Sequence, residues 1–475
     1  MNALSDKTAP RAAPGLKIET RSIDYVPRNE RHGKVWHQGP FWFTGNFVLT
    51  TMVTGFTGAA LGLSLVYAVL AIVIGVCLGT FAMAFHANQG PRMGLPQMIQ
   101  SRAQFGLRGA IVPFIAVIFV YIGFNVFNVI LATDAINTVL PGSRAPWYAL
   151  MIILAVVIAV IGHDLLHTVQ RWLTYVMISV FAVLTVAALM SLSADAAVAD
   201  AHFSWSAFLI QLSAAAGYQI SYAVYVSDYS RYLPADVPVA ATFWTTYLGS
   251  ALGSSLAFIF GAVAVLATPV GMDTMDAVKL ATGAIGPLML VLFLLSVISH
   301  NALNLYGAVL SIITLVQTFA YSWIPTAKSR AVISIIVLAA CSIAAVFASQ
   351  DFIGHFVDMV LVLLVVLVPW TAINLIDFYA IHKGKYDIAS IFRVDGGIYG
   401  KYNPQALLAY AVGIAVQIPF MNTPLYVGPI SQHINGADLS WVVGLAVTSP
   451  LYFWLASRDS AYKRRMDSGK LVGGV

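Results

Sequence analysis

Thr50-Thr51-Met52-Val53-Thr54-Gly55-Phe56-Thr57-Gly58 and Ser213-Ala214-Ala215-Ala216-Gly217-Tyr218-Gln219-Ile220-Ser221-Tyr222 are two stretches of small and polar residues set inside long apolar runs. Each run has about the 20 residues that cross a bilayer as helix. Backbone in lipid must be hydrogen-bonded internally, so only helices and closed barrels span it. These runs are continuous rather than alternating, which argues against a barrel. A carrier of a polar solute needs unsatisfied backbone near the midplane. Discontinuous helices supply it, often at corresponding places in two inverted repeats. The two stretches lie five spans apart and so enter from opposite sides, as a five-plus-five inverted repeat requires. Small-residue packing between helices explains the glycines. It does not explain why both polar clusters fall at equivalent positions, so spans one and six are expected to be broken helices.

Outward from these stretches, composition sets the class. The 475 residues are 59% hydrophobic and 9% charged, where a soluble protein carries about a quarter charged. Apolar runs recur at about 41–66, 67–87, 110–138, 146–162, 171–192, 206–227, 241–267, 285–319, 331–349, 354–379, 405–421 and 439–456, which predicts an all-α integral membrane protein of about twelve transmembrane helices. The division near Leu65 is weakly marked, and the eighth run is long enough to tilt or to emerge from the membrane. The chain therefore divides into a polar tail at 1–39, a transmembrane domain at 40–456 and a second tail at 457–475. Within the domain, a first repeat covers about 40–192, a second about 206–379, and two further helices about 405–456.

Lysine and arginine set the orientation. With the N-terminus inside, the tail carries Lys7, Arg11, Lys17, Arg21, Arg28, Arg31 and Lys34. The inward loops carry Arg92, Arg102, Arg108, Arg171, Arg231, Lys328, Arg330, Lys383, Lys385, Arg393 and Lys401, and the C-terminal tail carries Arg458, Lys463, Arg464, Arg465 and Lys470. Of the 25 Lys and Arg, only Arg144 and Lys279 then fall outside. A missed span would scramble this alternation, so it supports an even count with both termini cytoplasmic. Asp195, Asp200, Asp273, Asp276, Asp351 and Asp438 fall in outward loops, a weaker indication. The N-terminus is too long and too charged for a signal peptide. Cys77 and Cys341 lie in apolar runs and read as small core residues. The net charge of +5 is spread over many short loops and does not imply nucleic acid.

Span three offers Tyr121, Phe124, Asn125, Phe127 and Asn128. Phe124 and Asn128 are four apart and share a helix face. An aromatic ring there can stack on a planar heterocycle while the amide bonds its edge; an aromatic core position beside a helix-packing amide fits equally well. Span eight offers Ser299, His300, Asn301, Asn304 and Tyr306. Two amides and an imidazole in an apolar run are costly in lipid and must face partners, water or substrate. Asp228, at the inner end of span six, reads as a structural tie near Arg231. Asp134 and His86 read as interfacial, while Asp358 and Asp377 in span ten stay open. No metal-ligand spacing, nucleophile motif or phosphate-binding glycine loop is present, so neither an enzyme nor direct ATP drive is expected.

These residues resemble the nucleobase–cation symporter family of cytosine, purine, uracil, allantoin and hydantoin permeases. Gln89-Gly90-Pro91-Arg92-Met93-Gly94-Leu95-Pro96-Gln97-Met98, followed by Ser101-Arg102-Ala103-Gln104-Phe105-Gly106, is similar to that family's signature after span two. Tyr225-Val226-Ser227-Asp228-Tyr229-Ser230-Arg231-Tyr232-Leu233-Pro234 resembles its ending of span six. Ser296-Val297-Ile298-Ser299-His300-Asn301-Ala302-Leu303-Asn304-Leu305-Tyr306 looks like the span-eight pattern of the purine–cytosine branch. The resemblance implies a LeuT-like fold of two inverted five-helix repeats plus two helices, with substrate held between spans one, three, six and eight. Gly123-Phe124 and Asn128 match the branch's Gly-Trp and Asn, with Phe in place of Trp. Its span-six aromatic is Tyr222 here, or Gln219 if more distant members are the guide, and Asn46 and Thr50 match an Asn and a hydroxyl residue of span one. Sodium-coupled members have adjacent hydroxyls on span eight, where this chain has Ser299 and His300. Imidazole is a poor Na⁺ ligand and titrates near neutral pH, and the branch is generally proton-coupled.

The resulting expectation is a multi-pass inner-membrane importer of cytosine or a purine, driven by proton symport, with Na⁺ coupling as the alternative. The substrate site would comprise Thr50, Phe124, Asn128, Gln219, Tyr222, Asn301 and Asn304, and the coupling site Ser299 and His300. Allantoin, hydantoin, uracil or a vitamin heterocycle is the alternative cargo. An integral membrane enzyme and a channel are the readings from other classes. No cofactor, metal, nucleic acid or obligate protein partner is expected beyond the small-molecule substrate and membrane lipid.

Overall fold

A chain with little water to face closes its backbone hydrogen bonds within helices, and the apolar runs do so here. The computed structural model describes residue 19 and residues 21–191, 203–268, 272, 274–347, 354–423 and 426–459. Among the described residues, eight helices are long and apolar enough to cross a membrane. They are span two (Leu65–Phe85), three (Ile111–Val139), five (His163–Ser191), seven (Val239–Leu266), eight (Gly286–Gln317), nine (Ala327–Phe347), ten (Gly354–Ile376) and twelve (Ser440–Arg458). Two shorter apolar helices form span four (Ala145–Ile161) and span eleven (Pro404–Gln417). The interrupted spans one and six complete the set.

Span one runs from Gln38 to Gly45, opens at 46–48 and resumes as Leu49–Thr54 and Phe56–Ala60. Val48 is extended, with φ −132° and ψ 159°. The opening thus lies just before the Thr/Gly stretch that predicted it. Within that stretch, the Thr54 hydroxyl donates to the Thr50 carbonyl at 2.8 Å, a bond that keeps a hydroxyl inside a helix. Gly55 serves packing: a Cβ there would lie 2.0 Å from the Phe258 carbonyl oxygen on span seven. Span six is helical over Trp205–Ser221, passes through a 3₁₀ turn at Tyr222–Val224 and ends as Val226–Ser230. Its interruption therefore begins at Tyr222, where the predicted stretch ends.

The packing carries the repeat. Span two packs on span six as span seven packs on span one, and span four packs on span eight as span nine packs on span three. Spans one and five pair as spans six and ten do, and spans three and ten as spans eight and five. Exchanging spans one to five with six to ten maps these pairs onto each other, as an inverted five-plus-five repeat demands. Spans eleven and twelve pack on each other and on span ten, outside the exchange.

Several charged residues sit differently from their sequence assignments. Span five begins at His163, so Arg171 lies on the helix rather than in a loop. Gly162, at φ +100°, turns the corner before it. Arg102, Arg231 and Arg330 are buried, because the segment after span two folds inward as Gln89–Met93 and Gln97–Phe105 and the N-terminal segment covers the other two arginines. His86 is buried rather than interfacial and stacks on Trp370 with ring centroids 5.3 Å apart. Asp438 is also buried; its carboxylate accepts the backbone N–H groups of Asn422 and Ser440, both at 2.9 Å. It ties a small hairpin, Asn422–Thr423 with Tyr426–Val427, to the start of span twelve. Asp377 accepts from Tyr452 at 2.7 Å and Tyr386 at 2.8 Å and faces His382 at 3.0 Å. At the opposite end, Arg144 pairs with Asp134 at 2.6 Å and Lys279 donates to the Thr138 carbonyl at 2.7 Å. Asp195, Asp200, Asp273, Asp351, the Asp358 side chain, the tail before Glu19 and residues 460–475 lie outside the described residues.

Candidate functional site

Breaking span one frees carbonyl oxygens in the protein interior, and each left unmade would cost about 1–3 kcal/mol. Spans six and eight satisfy them. The Gly45 carbonyl accepts from the Tyr222 hydroxyl at 3.2 Å and from Nδ1 of His300 at 2.8 Å. The Phe47 carbonyl accepts from the Ser296 hydroxyl. His300 and Tyr222 also meet edge to face, with centroids 6.0 Å apart. Two sequence candidates thus converge on one backbone atom, which sequence alone could not identify.

One turn further along span one, a line of side chains crosses the bundle. The Thr50 hydroxyl donates to Oδ1 of Asn128 at 3.0 Å, and Nδ2 of Asn128 donates to Oδ1 of Asn301 at 3.0 Å. Spans one, three and eight are joined through amides that are fully buried or nearly so. Tyr218 of span six completes the group; its hydroxyl lies 3.1 Å from the Thr50 hydroxyl and 2.7 Å from that of Thr51. Phe124 stands edge-on to Tyr218, with centroids 5.8 Å apart and planes at 85°. Tyr218 and Thr51 were not among the expected site residues. Their signal was present, since Tyr218 is four residues before Tyr222 and so shares its helix face.

Asn304 lies one turn beyond Asn301. Its Oδ1 accepts from the Tyr225 hydroxyl at 2.6 Å, while its Nδ2 is buried without a hydrogen-bond partner. The Ser299 hydroxyl is likewise buried and unpartnered. Gln219 meets the opening of span one from another side. Its Nε2 donates to Oδ1 of Asn46 at 3.2 Å and its Oε1 accepts from Ser250 at 2.8 Å and Thr80 at 3.2 Å. Asn46, in the opening of span one, and Gln219 therefore form a second polar cluster, against spans two and seven. Thr50, Asn128, Tyr222, His300 and Asn301 gather at the other side of the opening, with Phe124 beside them through Tyr218 and Asn304 through Tyr225.

On the tail side of the site, the N-terminal segment crosses the bundle. Glu19 accepts from Arg231 at 2.8 Å, Arg330 at 3.1 Å, Tyr232 at 2.5 Å and Tyr306 at 2.9 Å. Its backbone N–H bonds the Ile161 carbonyl at 3.0 Å. Burial would raise the Glu19 carboxyl, but the Arg231 and Arg330 guanidiniums outweigh it and hold the group below the usual carboxylate range. Spans four, six, eight and nine are thereby fastened to one residue.

An interrupted first helix, a second interruption five spans later and a buried line of amides beside both are the geometry of a solute carrier. The family described as permease for cytosine/purines, uracil, thiamine and allantoin matches residues 25–444. The chain belongs to this permease family. It is a multi-pass membrane transporter, not an enzyme. The putative purine-cytosine permease YxlA of Bacillus subtilis is 36% identical over 464 residues, covering 95% of this chain and 100% of that protein. Purine-cytosine permease fcyB of Emericella nidulans is 24% identical, with 94% and 89% covered. Among solved structures, the nucleobase-cation-symport-1 family transporter Mhp1, closed with bromovinylhydantoin bound, superposes with TM-score 0.72 at 18% identity, covering 94% of this chain and 98% of Mhp1. The inward-facing conformation of Mhp1 gives 0.68.

The two permease strings read from the sequence turn out to grip each other. Oδ1 of Asp228 accepts the Gln97 backbone N–H at 2.7 Å, and Oε1 of Gln97 accepts the Ser227 N–H at 3.1 Å. Asp228 thus sits at the start of helix Gln97–Phe105, whose first N–H groups have no partner within the helix. The structural tie expected of Asp228 is made to Gln97, while Arg231 turns to Glu19.

Proposed function

We propose that this permease imports a nucleobase, cytosine or a purine, by proton symport with alternating access. It would do so in the cell inner membrane, with both termini cytoplasmic, tails at 1–39 and 457–475 and repeats at about 40–192 and 206–379. The observation that supports this most is the line Thr50–Asn128–Asn301 beside the rings of Phe124, Tyr218 and Tyr222. Amides offer donors and acceptors in one plane, suited to the edge of a base, and flanking aromatic rings suit its face. The unpartnered Nδ2 of Asn304 has a donor to spare for a substrate acceptor. For coupling, the imidazole of His300 already occupies the Gly45 carbonyl at the break, which favours a proton over Na⁺. No cofactor is invoked, and the proton is co-substrate. Uptake of radiolabelled cytosine, adenine, hypoxanthine and uracil into proteoliposomes tests the reading, with pH and Na⁺ gradients imposed separately. Uphill accumulation of a base on a pH gradient alone is expected; accumulation only on Na⁺ would overturn the coupling.

A second cargo, allantoin or a hydantoin, uses the same geometry, since both are planar rings with amide edges. The bromovinylhydantoin held by Mhp1 favours including them in the same uptake series.

A further inference from the structure

His32, His163 and Asp164 point three ligand atoms at one another, all within 4.8 Å. His32 precedes span one, while His163 and Asp164 open span five. Oδ1 of Asp164 lies 3.0 Å from Nε2 of His32 and 3.0 Å from Nδ1 of His163. The far nitrogen of each ring is already committed. Nδ1 of His32 meets the Glu30 carbonyl at 2.9 Å, and Nε2 of His163 meets the Tyr229 carbonyl at 3.3 Å. A carbonyl oxygen only accepts, so those nitrogens carry the N–H. With both rings neutral, their inner nitrogens present lone pairs to a carboxylate oxygen, and three acceptors converge with no donor among them.

Either added ring protons or one metal cation resolves that arrangement. Two protons would make two imidazolium rings, 6.3 Å apart, around a single carboxylate. One divalent ion would take all three ligand atoms at once. We propose that His32, His163 and Asp164 form a site for a borderline divalent metal of the Zn²⁺ class, with water in the fourth position. Two histidines and one carboxylate are a ligand set such ions favour. Bonds of about 2.0–2.2 Å place tetrahedral ligands about 3.3–3.6 Å apart; two of the three separations are 3.0 Å and all lie within 4.8 Å, so small side-chain shifts would close the set on an ion. The backbone carbonyls of Glu30 and Tyr229 supply the outer hydrogen bonds that fix ligand tautomer and orientation. Water reaches the site, since the side chains of His32 and Asp164 are exposed and border a pocket of about 200 Å³. Sequence spacing hides the group, because His32 and Asp164 are 132 positions apart.

The ion would staple the segment before span one to span five across the tail-side mouth of the bundle. The His32 backbone N–H, bonded to the Tyr232 carbonyl at 2.6 Å, carries the same staple to the end of span six. Opening that mouth in alternating access would require the staple to part. This consequence rests on the transport reading; the metal site itself does not.

The test uses the full-length protein purified without a polyhistidine tag and titrated with ZnCl₂ by calorimetry. One Zn²⁺ per chain is expected, with affinity at least about tenfold weaker in His32→Gln and in Asp164→Asn. Melting curves without metal verify that both variants fold. Equal affinity in wild type and both variants, or no saturable Zn²⁺ binding by folded wild type, overturns the site. In proteoliposomes, Zn²⁺ on the tail side should slow nucleobase exchange by wild type and spare His32→Gln; equal slowing of both overturns the staple. A chain that binds one Zn²⁺ but carries no nucleobase overturns the transport reading and leaves the metal site standing.

Discussion

Nδ1 of His300 donates to the carbonyl oxygen of Gly45 at 2.8 Å, joining span eight to the point where span one breaks. Because the carbonyl can only accept, Nε2 is the nitrogen free to take a second proton. Protonation there would add positive charge beside the end of helix Gln38–Gly45, whose last carbonyls carry the negative end of the helix dipole. A proton on His300 would thus tighten the contact between spans eight and one. His300→Gln preserves a donor to Gly45 and removes the titration. It should keep substrate binding and exchange but lose uphill uptake driven by a pH gradient. Accumulation by the variant on a pH gradient would move the coupling proton to another residue.

Phe124 and the amide line should divide affinity between stacking and edge recognition. Phe124→Ala is expected to weaken substrate binding by about 1–3 kcal/mol, the range for loss of one base–aromatic stack, whereas Phe124→Trp should be tolerated. Asn128→Ala strips partners from both Thr50 and Asn301 and should cost at least as much. Tyr218→Phe removes the hydroxyl shared by Thr50 and Thr51 and should weaken binding less. Equilibrium binding to purified protein measures all four. Normal affinity in both Phe124→Ala and Asn128→Ala would place the substrate elsewhere.

Topology gives a third expectation. Asp276 is exposed on helix Thr274–Thr282 before span eight, and Lys385 is exposed in the loop after span ten. In intact cells, an impermeant maleimide should label Asp276→Cys and spare Lys385→Cys until the membrane is opened. Immediate labelling of Lys385→Cys would reverse the orientation.

The spans, their breaks and the repeat were legible because each depends on local pattern: apolar length for the spans, polar and small residues for the interruptions. The position of the break in span one was displaced for a physical reason. Gly55, within the stretch that predicted the break, is consumed by contact with the Phe258 backbone, and the chain opens just before that stretch, at Asn46, Phe47 and Val48. The neighbours of Gln219 were not legible, because helical periodicity gives a face but not what that face meets. Its partners, Ser250 and Thr80, come from spans seven and two. The role of Glu19 was invisible, since one of four acidic residues scattered through a basic tail has no pattern until Arg231 and Arg330 close on it.

Glu19 is the most exacting test of how the tail side is held shut. Its carboxylate is the only acidic group among the described residues that pairs with both buried arginines, Arg231 and Arg330. Glu19→Gln keeps the volume and one acceptor oxygen but leaves the two guanidiniums without a counter-charge. Removing one partner from a buried ion pair typically costs about 3–5 kcal/mol. The variant should therefore melt lower at neutral pH and expose the tail-side mouth more often, seen as faster labelling of a cysteine at Ser230, which is buried in the closed protein. The folded carboxyl is held below its ordinary range, so its stabilising effect is complete above that range and fades as pH falls through the lowered folded value. The gap in melting temperature between wild type and Glu19→Gln should accordingly be full at neutral pH and narrow in acid. Equal melting at neutral pH, with equal labelling at Ser230→Cys, would show that the N-terminal segment lies over the mouth without holding it.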